Sequence, residues 1–222
     1  MRRVMKVSTV LGDVASSATF AVVVACVLCF IVESVSARLP LPKGAGAFSY
    51  PEFLRTFFAI NPSMLRAGAV WQPLTSAFLH GGGIHLVVNM GALLVTGVAL
   101  EKAMGARRWL ALFTLSVAAG ALGFLLSLWI DPRLSAEMIC LGASGGVAGC
   151  VGAVAGWAPR ARVTLWLTVI PIPIRAWWLI PLMLIFVGSE CYFYPTVTAY
   201  GAHLAAFIAG LAIGAVFSHP SV

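Results

Sequence analysis

Gly142-Ala143-Ser144-Gly145-Gly146-Val147-Ala148-Gly149-Cys150-Val151-Gly152-Ala153-Val154-Ala155-Gly156-Trp157 is an apolar run interrupted by a single hydroxyl near its start. Read as a helix from Ala143 to Trp157, it reaches only about 22 Å at 1.5 Å per residue, against the roughly 30 Å of a bilayer's hydrocarbon core. One end must stop below the surface. If Trp157, Pro159 and Arg160 anchor one end at the interface, the sunken end is the one that carries Ser144, about 10 Å inside the membrane.

The rest of the chain supplies the membrane setting. Of 222 residues, 61% are hydrophobic and 9% charged, with a mean hydropathy of +1.00; soluble domains carry about 45–50% apolar and about 25% charged residues. This composition excludes a soluble enzyme and describes a polytopic membrane protein. Six spans are predicted, at Val14 to Ser36, Ile84 to Ala103, Arg108 to Ile130, Ala143 to Trp157, Ala176 to Phe193 and Val197 to Phe217. They are read as helices because only helices or closed barrels satisfy the backbone in lipid, and the period-2 pattern of a barrel is missing. The expectation is an all-α, six-helix bundle forming one membrane domain over 1–222. The run Val163 to Ile170 with Pro171-Ile172-Pro173 is too short to span and is read as the interfacial start of the fifth span. The long loop 37–83 holds Pro40, Pro42, Pro51, Pro62 and Pro73 around Phe53-Leu54-Arg55-Thr56-Phe57-Phe58, which suggests a short helix lying in the interface.

Charge sets the orientation. Arg2, Arg3, Lys6, Lys102, Arg107, Arg108, Arg160, Arg162 and Arg175 share one face with Asp13 and Glu101, a balance of +7. Arg38, Lys43, Arg55, Arg66 and Arg133 are matched on the other face by Glu33, Glu52, Asp131, Glu137 and Glu190, a balance of zero. Both termini are therefore expected in the cytoplasm, with the cell (inner) membrane as the setting. No basic stripe with interleaved aromatics points to nucleic acid. A second reading of the N-terminus takes Arg2, Arg3 and Lys6, the apolar run Ala18 to Val32 and Val35-Ser36-Ala37 as a secretory signal with its cleavage site, at the cost of an odd number of helices.

Ser144 and His203 lie in two different spans, and a hydroxyl with an imidazole is the minimum pair for a nucleophile and its base. Ser144, Ala148, Gly152 and Gly156 form one stripe, and His203, Ala206, Gly210 and Gly214 another. Small residues at this spacing let membrane helices approach closely, which would bring hydroxyl and imidazole together. In the second span His85 and Asn89 share a face at i, i+4, and His80 precedes them. The His85 ring N–H, the Asn89 amide and the backbone N–H of Ser144 suit an oxyanion hole. Singly, each polar residue reads as interhelical glue; the set reads as a site. None of the seven carboxylates has a sequence position that obviously supports His203, so a Ser–His dyad is expected. No His-Glu-x-x-His occurs, and neither metal nor cofactor is expected. Cys140 and Cys191 both fall near the outer face, where a disulfide is conceivable.

These residues carry a family resemblance. Trp71-Gln72-Pro73-Leu74-Thr75-Ser76-Ala77-Phe78-Leu79-His80, continuing through His85, Asn89 and Met90 to Glu101, resembles the first-loop and second-span region of rhomboid intramembrane serine proteases. Gly142-Ala143-Ser144-Gly145 is similar to their Gly-x-Ser-Gly motif, and Ala202-His203 with Gly210 to their Ala-His-x-x-Gly-x-x-x-Gly motif. The resemblance implies a six-helix core, Ser144 as nucleophile, His203 as general base, and His85, Asn89 and the Ser144 N–H as the oxyanion site. It also implies a supporting place for His80 in the polar cluster, and single-span membrane proteins as substrates, cut near the outer end of their helices. Three positions depart from it. Gln72 stands where the family often has Arg, Ala206 replaces a Gly, and Ala148 replaces the aromatic that stacks on the imidazole, a role left to Tyr200 or Phe207. The alternatives are an inactive rhomboid-like protein that escorts transmembrane clients, and, further off, a transporter with the polar cluster lining its path.

Overall fold

The computed structural model describes residues 14–37, 49–135, 137–167, 170–195 and 199–217. In chain order its elements are α1 (Ala18–Ser36), α2 (Tyr50–Phe58), α3 (Pro62–Arg66), α4 (Gln72–Thr75), a 3-10 turn (Ser76–Phe78), α5 (Gly83–Met104), α6 (Ala106–Ile130), α7 (Ser144–Trp157), strands β1 (Arg162–Leu167) and β2 (Ile170–Arg175), a second 3-10 turn (Ala176–Trp178), α8 (Leu179–Phe193) and α9 (Tyr200–Phe217). Among the described residues, α1, α5, α6, Ala176–Phe193 and α9 are long and apolar enough to cross a membrane. α7, at 14 residues, is apolar but shorter. The protein is a multi-pass helical membrane bundle. Arg2, Arg3, Lys6, Asp13, Arg38, Pro40, Pro42, Lys43 and the expected start of the sixth span at Val197 lie outside the described residues.

The centre of the bundle is the pair α7 and α9, held at backbone distance. A side chain on Gly152 would strike the carbonyl of Phe207, one on Gly156 that of Leu211, and one on Gly210 or Gly214 those of Gly149 and Ala153. Lipid tails are as apolar as leucine, so membrane helices associate through van der Waals packing, which such backbone contact maximises. α6 closes the third side. Gly123 meets the carbonyl of Gly201 on α9, while Gly149 and Gly146 of α7 meet Ser116 and the ring of Phe113. Bulk comes from α5 and α6, whose Leu93, Trp109, Leu112 and Phe124 are fully buried.

Each outer element is tied in by polar contacts that lipid would otherwise leave unpaid. At the N-terminus of α1 the Glu101 carboxylate on α5 accepts from the Ala18 and Thr19 N–H groups, each at 2.8 Å, and from the Thr19 hydroxyl at 2.7 Å. In the loop, α2 is started by a capping box of Ser49 and Glu52 and fastened to α1 by the Arg55–Glu33 ion pair. Gln72 is fully buried, accepts from Asn61 N–H at 2.9 Å and donates to the Thr56 carbonyl at 2.8 Å, while Trp71 Nε1 and the Thr75 hydroxyl donate to the carbonyls of Phe57 and Phe58. The segment is an ordered collar rather than a connector.

One expectation fails in the connection before the fifth span. Val163 to Ile170 and the prolines after it form an antiparallel hairpin, with Arg162 opposite Arg175 and Leu167 opposite Ile170. The reason is local: a proline forces the residue before it into the extended region, so Ile170-Pro171-Ile172-Pro173-Ile174 is strand by steric restriction. A two-stranded sheet also leaves β2 an edge on which prolines are tolerated.

Candidate active site

Ser144 is the first residue of α7, reached through Gly142 at φ +120°, a conformation that suits only glycine. Space imposes the same choice: a Cβ there would lie 2.8 Å from Cε1 of His85. The approach is held by Gly142 N–H donating to the Ser76 carbonyl at 2.9 Å, and by a two-bond bridge between Ile60 and Cys140, 2.8 and 3.0 Å. The collar therefore positions the turn that presents the hydroxyl. The first turn of α7 follows an N-cap, Ala143, that offers no side-chain acceptor, so its N–H groups and the helix dipole favour a developing negative charge.

His203 stands in the first turn of α9, with Nε2 2.9 Å from Ser144 Oγ. The α7–α9 seam thus joins the two side chains that the small-residue stripes predict. On the other side of the ring, Nδ1 lies 2.7 Å from Oε2 of Glu190, near the end of α8. The sequence points to no carboxylate beside His203, and here the structure differs: the buried Glu190 carboxylate lies against the imidazole. The ring contact also differs from expectation. Tyr200 turns away to donate to Asp131 at 2.6 Å, and Phe207 is buried against Ala148 and Ala206. Instead Phe186 of α8 lies against the imidazole, centroids 5.8 Å apart and tilted by 37°. Sequence reasoning missed Phe186 and Glu190, although a signal existed. They are spaced i, i+4, and a lone carboxylate in an apolar span asks for a partner.

A cavity of about 590 Å³ opens beside this pair, lined by His85, Asn89, Ser144, Ala148, Phe186 and His203 among others. Nδ1 of His85 accepts from Gly81 N–H at 3.3 Å, which in a neutral ring leaves the proton on Nε2 as a donor. Asn89 spends one amide hydrogen on the His85 carbonyl at 2.8 Å and retains the other. His80 is fully buried with its ring centroid 5.2 Å from that of His85, and neither of its nitrogens has a hydrogen-bond partner among the described residues. Burial, helped by the neighbouring His85, pushes His80 down to about 4, so it is neutral at physiological pH. Outside the cavity Arg133 grips Asp131 and holds that carboxyl well below the usual range. Cys140 and Cys191 are both free thiols, and Arg133 donates to Cys191 Sγ at 3.3 Å.

The family model described as "Rhomboid domain" matches residues 67–220. The chain belongs to the rhomboid family. Its similarity to "RHOMBOID-like protein 5" of Arabidopsis thaliana is 33% identity over 164 residues, 73% of this rhomboid and 49% of that protein. With "Rhomboid protease GluP" of Bacillus subtilis it shares 37% over 109 residues, 49% of this chain and 20% of the relative. With "Inactive RHOMBOID-like protein 8" of Arabidopsis thaliana it shares 33% over 76 residues, 34% and 22% of the two chains. This rhomboid spans about half or less of the length of these relatives.

Proposed function

We propose that this protein is an intramembrane serine endopeptidase that hydrolyses peptide bonds of single-span membrane proteins near the outer end of their helix. The observation that carries the reading is the 2.9 Å contact between Ser144 Oγ and His203 Nε2 at the wall of the cavity. His203 takes the hydroxyl proton as Ser144 Oγ attacks the scissile carbonyl. The oxyanion forms against the His85 Nε2–H, the Asn89 amide and the Ser144 N–H. His203 then passes the proton to the leaving amine, and a water molecule, activated by the same imidazole, releases the acyl group from Ser144. His80 supports His85 from behind. Substrate must unwind locally, since a peptide bond inside a helix has its carbonyl engaged.

Both termini are taken to face the cytoplasm, on the strength of the +7 balance on that side. The short span then opens the site toward the opposite face.

A second reading, an inactive rhomboid that escorts transmembrane clients, draws on the match to a relative whose name calls it inactive. Activity separates the two. Ser144→Ala and His203→Ala are each expected to lower cleavage of a single-span substrate in liposomes by about 10⁴-fold or more. Ser144→Ala should also abolish labelling by a fluorophosphonate probe, with insertion and thermal stability retained. Wild type that neither labels nor cuts a panel of substrates would hand the case to the escort.

A further inference from the structure

We propose that Glu190 is a positioning residue for His203, so that the site works as Ser144, His203 and Glu190 in line. This rests on the reading of Ser144 as nucleophile and His203 as base. The Nδ1 to Oε2 distance of 2.7 Å is that of a charge-assisted hydrogen bond. Both side chains are largely withdrawn, 13% and 8% exposed. A carboxylate inside an apolar helix is costly unless it is paired, and His203 pairs with the Glu190 carboxylate.

The contact decides the tautomer. With Nδ1–H donating to the carboxylate, Nε2 presents its lone pair to the Ser144 hydroxyl, which is the form a base needs. When the imidazole becomes imidazolium in the transition state, the adjacent carboxylate stabilises the new charge. Phe186 adds a second restraint from the same helix, one turn earlier and against the ring. α8 thus touches the imidazole twice, through the Glu190 carboxylate and the Phe186 ring. On α7, Ala148 lines the cavity without any ring to offer. Phe186 and Glu190 together replace what a stacking side chain at 148 would provide.

The test uses the full chain in liposomes with a single-span substrate. Glu190→Gln is expected to lower kcat and the rate of fluorophosphonate labelling by between about ten-fold and about 10⁴-fold, with KM changed less than about two-fold. Glu190→Asp should recover part of the loss and Glu190→Leu none. Nitrogen NMR of isotopically labelled His203 supplies a readout independent of turnover: wild type should show the Nδ1–H tautomer, and Glu190→Leu should lose it. Wild-type kcat and labelling in folded Glu190→Gln would overturn the proposal, as would an Nε2–H tautomer in the wild-type ring. If wild type itself fails to label while the Nδ1–H tautomer is present, the nucleophile reading falls and the positioning geometry survives.

Discussion

At the scale of single residues, the polar groups divide by whether a neighbour completes them. Ser144, His203 and Glu190 form a chain of two hydrogen bonds, whereas His80 is buried against His85 with no hydrogen-bond partner for its ring nitrogens among the described residues. That difference has a thermodynamic consequence. In the unfolded chain a histidine titrates near 6.5, while in the fold His80 titrates near 4. Below 6.5 the unfolded state therefore binds the extra proton, and the stability His80 leaves intact at neutral pH is lost progressively between 6.5 and 4, levelling off below. The melting temperature in detergent should drop over that window, and His80→Leu should flatten the drop relative to wild type. Identical pH slopes for the two proteins would show that His80 does not carry the effect. Ser144 and His203 were legible in the sequence because each stands alone as a polar group on a stripe of small residues. For the helpers on α8 the sequence signals only a lone carboxylate in need of a partner; that the partner is His203 was not legible, because twelve residues lie between Glu190 and His203 and no helical or strand period connects them across a turn.

Among the elements, the α7–α9 seam carries the site. Its contacts are backbone to backbone, so a side chain introduced there has no flexible neighbour to push aside. Gly210→Val is expected to separate the two helices, abolish detectable cleavage and lower thermal stability by several degrees. The comparison is Gly188→Ala on α8, where nothing lies within reach of a new Cβ, which should leave both measurements near wild type. Equal behaviour of the two variants would contradict this account of the seam. The six apolar segments could be read from hydropathy because lipid leaves the backbone few options. The hairpin could not be read with that template: it is decided by the steric effect of alternating prolines, which hydropathy does not register. Gln72 is a similar case. Set against the family pattern it looks like a loss of charge, yet its neutral amide both accepts and donates within the collar, which a guanidinium, a donor only, cannot do.

For the whole molecule, the question is which way the bundle faces. Lys102, Arg107, Arg108, Arg160, Arg162 and Arg175 flank the α5–α6 turn and the β1–β2 hairpin, and the orientation proposed above has both facing the cytoplasm. In a variant stripped of its own cysteines, Ser135→Cys should react with a membrane-impermeant maleimide on intact cells, whereas Ala161→Cys should react only after permeabilisation. Both positions are exposed on the protein surface, so the reverse pattern would invert the topology and place the cavity on the cytoplasmic side.

The glycine carbonyl contacts along α7 and α9 bear on how the protein meets bilayers of differing thickness. A span of 14 residues cannot follow a membrane that swells or thins, and neighbours touching at main-chain distance have no slack with which to tilt apart. Mismatch strain must then be taken up by the lightly buried perimeter, where α8 buries only Val187 and Glu190. A thicker lipid host would thus be felt first at the carboxylate end of the relay, while the spacing between hydroxyl and imidazole stays fixed.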